Sequence, residues 1–215
     1  LGRLCGGALL MSTDLKTDSS VLSITIRSEG ELSGMVAVCS SNSMVRGYVS
    51  NPGTSTVYKN DGKLDIGRAV GKGTLTVIKD LGLKEPYTGQ IELVSGEIAE
   101  DLAAYFLISE QIPTVLSLGV RLDKSGISNA GGLMIRLLPD AGEDILSYVE
   151  QRALGFPDVT WLYEEGFTPH QIIDLFMGDP DIKYLEEKEC GFKCTCNHER
   201  MAANLITLGI DELKE

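Results

Sequence analysis

From Val21 the chain alternates. Leu22, Ile24 and Ile26 fall on one side and Ser23, Thr25 and Arg27 on the other, until Glu29-Gly30 ends the run. A period of two marks a strand with one buried face. The same pattern predicts strands at about 34–40 and 44–50, the second closed by Asn51-Pro52-Gly53, where proline and glycine force a turn. Joined by short loops, the three form an antiparallel meander. Asn60-Asp61-Gly62 is a hairpin signal, and further strands are expected at 74–79 and 90–94. Two more, at 114–122 and 131–138, flank the turn Asp123-Lys124-Ser125-Gly126 and should pair as a hairpin.

Elsewhere the period is helical. Residues 1–11 read as a helix packed closely through Gly6, Gly7 and Ala8, with a polar connection after it. Ser95 is the expected N-cap of a second helix that places Ile98, Leu102, Tyr105 and Phe106 on one face and ends before Pro113. Glu97, Glu100 and Asp101 put negative charge near its positive end. Strands dominate and no βαβ alternation occurs, so residues 1–139 are expected to form one α+β domain, a mostly antiparallel sheet with a packed central helix.

Past Pro139 the strands give way to short helices broken by Gly and Pro. Asp140 with Glu143 can cap the first, and Thr168-Pro169-His170-Gln171 has the form of a capping box with proline at N1. Their apolar faces are narrow: Ile145, Leu146 and Val149; Trp161 and Leu162; Ile172, Ile173, Leu175 and Phe176. Helices this short need a surface to dock on. Residues 140–189 therefore read as a linker that can move, not as a second core. In residues 190–215, Asn197 can cap a helix bearing Met201, Leu205 and Leu208 and ending at Gly209, with another starting at Asp211. One short helix cannot offset about 1–2 kcal/mol of backbone entropy per residue, so this segment needs a neighbour to order it.

Charge narrows the partners. With 31 Asp+Glu against 19 Lys+Arg, a net charge of −12 disfavours nucleic acid and anionic membrane surfaces. No apolar run approaches a membrane span, and residues 1–11 lack a signal-peptide pattern. Five cysteines, with Cys5 and Cys39 alone in apolar surroundings, make no disulfide framework and point to the reducing cytoplasm. The chain starts without Met inside an apparent helix, so both ends read as cut.

Most candidate chemistry fails inspection. The run from Gly67 to Thr74 misses the spacing of a phosphate loop, no serine sits in a nucleophile elbow, and both histidines lie in the helical tail. Glu97, Asp101 and Glu110 read as capping charges or a solvated face. What stands out is Cys190-Gly-Phe-Lys-Cys194-Thr-Cys196-Asn-His198, three thiols in seven residues beside one of two histidines. Cys194 and Cys196, one residue apart, can face a single soft cation such as Zn2+. Zinc takes four ligands, so the site is incomplete on this pair alone. Cys190 and His198 could complete a cramped local set, or the thiols could carry no metal.

Six segments in order resemble the heat-shock protein 33 family: residues 45–52 (Val-Arg-Gly-Tyr-Val-Ser-Asn-Pro); 79–82 through 86–90; 95–102 (Ser-Gly-Glu-Ile-Ala-Glu-Asp-Leu); 109–113 (Ser-Glu-Gln-Ile-Pro); 130–132; and Cys194-Thr-Cys196-Asn-His-Glu199-Arg200 with Leu208-Gly209. The resemblance implies a redox-regulated, ATP-independent holdase chaperone of the bacterial cytoplasm. It would be off when reduced and zinc-bound, and on, as a homodimer, when oxidants turn its thiolates into disulfides. Its clients would be unfolded or misfolding proteins. It also implies that Cys194 and Cys196 are the metal ligands and the redox disulfide pair of a partial C-terminal zinc module in residues 190–215. The other ligand pair, a Cys-x-x-Cys, is then expected past Glu215, and a further strand and helix before Leu1. Loss of a structural zinc, about 10–16 kcal/mol, would unfold such a module and release the 140–189 helices with Trp161, Ile172 and Phe176. The rival expectation is an enzyme, a thiol-disulfide oxidoreductase using Cys194 and Cys196.

Overall fold

The computed structural model describes residues 1–55, 58–60 and 62–208. Asp61 of the expected hairpin, Gly209 and the helix expected from Asp211 lie outside them.

The meander is β1 (Val21–Ser28), β2 (Gly34–Ser40) and β3 (Met44–Val49). After β3 the chain makes a small turn, with a bridge between Tyr58 and Leu64, and passes through α2 (Ile66–Val70). It returns on the far side of β1 as β4 (Gly73–Asp80), beside which lies β5 (Tyr87–Glu92), three residues earlier than its alternation suggested. A two-residue strand far along the chain, β8 (Gly191–Phe192), completes the order β5-β4-β1-β2-β3-β8 and pairs parallel with β3. β3 is thus the neighbour that the last segment needed.

Alternation decides which face is covered. Leu22, Ile24 and Ile26 of β1, Met35, Ala37 and Cys39 of β2, and Leu75 and Val77 of β4 are all buried on one side. Against them lie α1 (Gly2–Met11) and α3 (Ile98–Tyr105). A Cβ on Gly7 would stand 2.4 Å from Leu102 Cδ1, so glycine is what lets the two helices meet. Ile98, Leu102, Tyr105 and Phe106 are buried, as their spacing predicts. Leu102→Ala should therefore cost about 2–5 kcal/mol in a denaturant melt, and a loss near zero would contradict this packing.

The start of α3 differs from expectation. Glu97, not Ser95, occupies the N-cap and makes no side-chain cap bond, while Ser95 Oγ accepts the Glu97 N–H (3.2 Å) and a carboxylate inside the helix gathers the turn before it. Asp101 is fully buried and its Oδ1 accepts the backbone N–H of Val94 (2.7 Å), Ser95 (3.1 Å) and Gly96 (3.4 Å). Glu97 pairs with Arg3 (2.7 Å) and Lys59 (2.6 Å). Past Tyr105 the helix widens into a π turn over Phe106–Glu110, where Glu110 holds Lys79 (2.5 Å) and accepts the Tyr105 hydroxyl (2.9 Å). Burial first, and then Glu110, push the Tyr105 pKa up. Asp101 and Glu110 are thus interior fasteners and not a solvated face.

A second, two-stranded layer is formed by β6 (Thr114–Asp123) and β7 (Gly126–Arg136), with Val115 opposite Ile135 and Leu116 opposite Met134. The strands meet in a tight turn, so β7 starts five residues earlier than expected. Both of its faces are apolar. Leu116, Leu118 and Met134 pack toward α1 and α3, whereas Val115, Leu133 and Ile135 point the other way into a separate cluster. Arg136 at the end of the hairpin forms a bidentate pair with Asp14 (2.5 and 2.6 Å) just after α1.

Candidate functional site

The outer face of the β6–β7 hairpin is covered by α4 (Glu143–Leu154), α5 (Val159–Glu164) and α6 (Pro169–Met177). Val149, Val159, Leu162, Ile172 and Phe176 are buried there with Leu133. Three residues expected on the docking faces are not: Trp161 is 44% exposed, and Ile145 and Leu175 are likewise open. On so short a helix as α5, Val159 and Leu162 already fill the seam, and Trp161 is turned off it. Two glycines of the hairpin make room for α5. A Cβ at Gly119 would lie 2.4 Å from Thr160, and one at Gly131 2.2 Å from the Tyr163 ring.

Local chemistry sets the helix ends. The capping box is present: Thr168 Oγ1 accepts from the Gln171 backbone (3.3 Å), and Gln171 Oε1 accepts from the Thr168 N–H (2.8 Å). For α4 the cap is Gly142, without a side-chain bond, so Asp140 does not serve; Glu143 and Asp144 supply first-turn charge instead. The last carbonyls of α6 are held by α4, where Arg152 Nε donates to Phe176 O (2.7 Å) and the Tyr148 hydroxyl to Met177 O (2.5 Å). A cation at a helix C-terminus is favourable for both dipole and hydrogen bonding. Packing is looser where α4 meets α3 and β6, at a groove of about 360 Å³ lined by Ala104, Leu107, Val115, Leu137, Leu146 and Val149.

Residues 178–190 leave α6 without helix or strand, tied back to it by Tyr184, whose hydroxyl bonds Asp174 and whose ring meets His170 edge-on at 4.3 Å. The chain then reaches the main sheet. Gly191 donates its N–H to Ser43 O (3.2 Å) and Lys193 to Val45 O (2.9 Å), and Arg46 donates to Thr195 Oγ1 (3.1 Å). The expected thiol pair sits directly beyond this anchor, followed by α7 (His198–Leu208), on which Met201, Leu205 and Ile206 are exposed.

The structure brings Cys194 and Cys196 together. Hydrogen bonds from the Cys196 backbone and side chain, and then the charge of Arg46, hold the Cys194 pKa below the ordinary thiol value. Burial raises those of Cys5 and Cys39. All five cysteines are outside disulfides, with Cys190, Cys194 and Cys196 exposed. Cys190 and His198 are not gathered with the pair, and among the described residues no group of three or more His, Cys, Asp or Glu side chains is placed to hold a metal. Two thiolates are half of a zinc shell, and the described residues do not complete it.

Reactivity should follow thiolate content. With its pKa lowered, Cys194 is expected to alkylate in the native protein at a pH where Cys5 and Cys39 are still protonated and shielded. Arg46→Ala should move the Cys194 labelling profile to higher pH. Faster labelling of Cys5 or Cys39 in a mapped adduct series would refute the assignment.

Known proteins match this chain along its whole length. The family model described as Hsp33 protein matches residues 1–215. A 33 kDa chaperonin of Ruminiclostridium cellulolyticum is 45% identical over 215 residues, covering all of this chain and 74% of the relative. One from Acetivibrio thermocellus is 41% identical over 214 residues, covering 99% and 72%. The crystal structure of the 33 kDa chaperonin from Thermotoga maritima superposes with a TM-score of 0.91 at 36% identity, covering all of this chain and 73% of that one.

Proposed function

Because the chain belongs to the Hsp33 protein family, which is a family of chaperones and not of enzymes, we propose that it is a redox-regulated holdase that captures unfolding proteins without ATP. The observation that carries this reading is the outer face of the β6–β7 hairpin, an apolar surface covered by three helices too short to be stable alone. Undocking α4–α6 would uncover Leu133, Ile135 and the faces of the helices themselves, giving unfolding clients an apolar site while the core of the main sheet stays intact.

Cys194 and Cys196 are the proposed redox pair and the two ligands this segment offers to zinc. Oxidation joins their sulfurs in one bond, releasing two protons and passing two electrons to an oxidant such as peroxide, which becomes water. A bridge across one residue is strained and hence readily reduced again, as a reversible switch requires. The proposal includes cytoplasmic location and a homodimer in the active state. Among the described residues no helix is long and apolar enough to cross a membrane. The rival reading, a thiol oxidoreductase, gives way to the family.

The test is light scattering from a thermally unfolding client. Peroxide-treated protein should suppress aggregation in proportion to its amount, and dithiothreitol should reverse the effect. Cys194→Ser with Cys196→Ser should abolish the response to peroxide. Turnover of a dithiol substrate, or protection indifferent to both reagents, would overturn the redox reading. Metal analysis beside a thiol count decides whether the pair holds zinc.

A further inference from the structure

The outer edge of β3 is a strand seat, and its occupant is held by main chain. β8 is two residues long, one a glycine and the other Phe192, which is 67% exposed. Neither side chain can be what keeps β8 in place. The contacts that do include the backbone N–H of Gly191 on Ser43 O, the N–H of Lys193 on Val45 O, and a side-chain bond from Arg46 to Thr195. β8 covers only Met44 and Val45, so Arg46–Val49, paired with β2 on their inner side, have no strand partner on their outer side among the described residues. A two-residue pairing is marginal in water.

We propose that β8 is a removable plug in this edge, and that an extended backbone segment of an unfolding client replaces it by adding a strand to β3. The proposal rests on the chaperone reading and specifies a second contact for the client, beside the apolar face under α4–α6. Recognition through main-chain groups carries no demand on sequence, which suits a protein whose clients share only the loss of their fold. The plug is continuous with the thiol pair: Lys193, which makes its last backbone bond, precedes Cys194, and Arg46 reaches the residue between the two cysteines. A rearrangement at the pair therefore acts on the edge without a relay. Of the two strands that bound the five-stranded antiparallel part of the sheet, β3 has this seat and β5, among the described residues, does not.

Proline tests the plug, because it removes a donor without touching a cysteine. Lys193→Pro deletes the bond to Val45 and Gly191→Pro the bond to Ser43. One backbone hydrogen bond corresponds to about 2- to 10-fold in an equilibrium constant, and reduced Lys193→Pro protein should bind reduced, carboxymethylated lactalbumin tighter by about that factor. Gly191→Pro is the second variant should the first not fold, a melt unchanged from wild type being the sign that a variant does fold. The contact itself is read by a photo-crosslinking residue at Tyr48 or at Gln90. These positions lie in one cross-strand row through Val36, Thr25 and Thr76, at opposite edges of the sheet. Crosslinks from Tyr48 well above those from Gln90 support the edge. Equal labelling would mean that the client lies on the sheet face, and crosslinks between copies of this chain would mean that the seat serves self-association; either result overturns the proposal. If oxidised wild-type protein fails to protect any client, the chaperone reading fails separately. The seat then stands or falls on whether lactalbumin still labels Tyr48.

Discussion

Phe176→Ala should switch on client protection in the reduced protein. The ring is fully buried, meets Phe156 edge-to-face at 5.0 Å, and sits in a cluster with five other buried side chains. Truncating a buried phenylalanine costs about 3–5 kcal/mol, a large share of what so small a seam can supply. Around it the fastenings are weak in water: Arg121 with Glu164 (2.6 Å) and Lys63 with Asp158 (2.7 Å) are largely exposed ion pairs, each worth about 0–1 kcal/mol. The expected result is a rise in apolar-dye binding and suppression of client aggregation under dithiothreitol, with the melt of the main core unmoved. If the variant binds no dye and protects no client while folding normally, the covered face is not the client site.

Asp101→Ala should be among the most damaging changes in the main core. It leaves the amides of Val94, Ser95 and Gly96 without the carboxylate that gathers them, at the point where β5 hands over to α3. Gly96 is buried, and a buried donor stripped of its acceptor costs about 1–3 kcal/mol, whereas Val94 and Ser95 are exposed and each lost bond there costs about 0.5–1.5 kcal/mol, so a loss of roughly 2–6 kcal/mol is expected, against about 5–15 for a whole domain. Asp101→Asn keeps a carbonyl oxygen in place and should lose markedly less. Equal denaturation midpoints for Ala and the native chain would show that the amides find other partners.

Where side chains define an element, the sequence was readable. Leu22, Ile24 and Ile26 announced β1, the spacing from Ile98 to Phe106 announced the buried face of α3, and Thr168-Pro169-His170-Gln171 announced the start of α6 with its cap. Features made by backbone or by distant contacts were not. β8 is two residues whose pairing leaves no pattern, and β4 lies beside β1 only because a loop and α2 carry the chain across. Asp101 looked like one more acid in a first turn because its partners precede it around a bend. Gly119 and Gly131 revealed nothing until Thr160 and Tyr163 stood over them. In the candidate site, spacing alone singled out Cys194 and Cys196, while Arg46 lies 148 residues before Cys194 in the chain and no motif links them.

The single tryptophan of this protein is Trp161 on α5, partly exposed at the rim of the second cluster, while the main core holds Tyr105 and Phe106 instead. Its emission is consequently a private channel. Tryptophan fluorescence reports the helices over the hairpin, and far-ultraviolet circular dichroism, dominated by the six-stranded sheet and its helices, reports the rest. If α4–α6 leave before the core melts, the two signals part company along one denaturant titration, and the gap between their midpoints measures how much cheaper it is to open the cover than to unfold the protein.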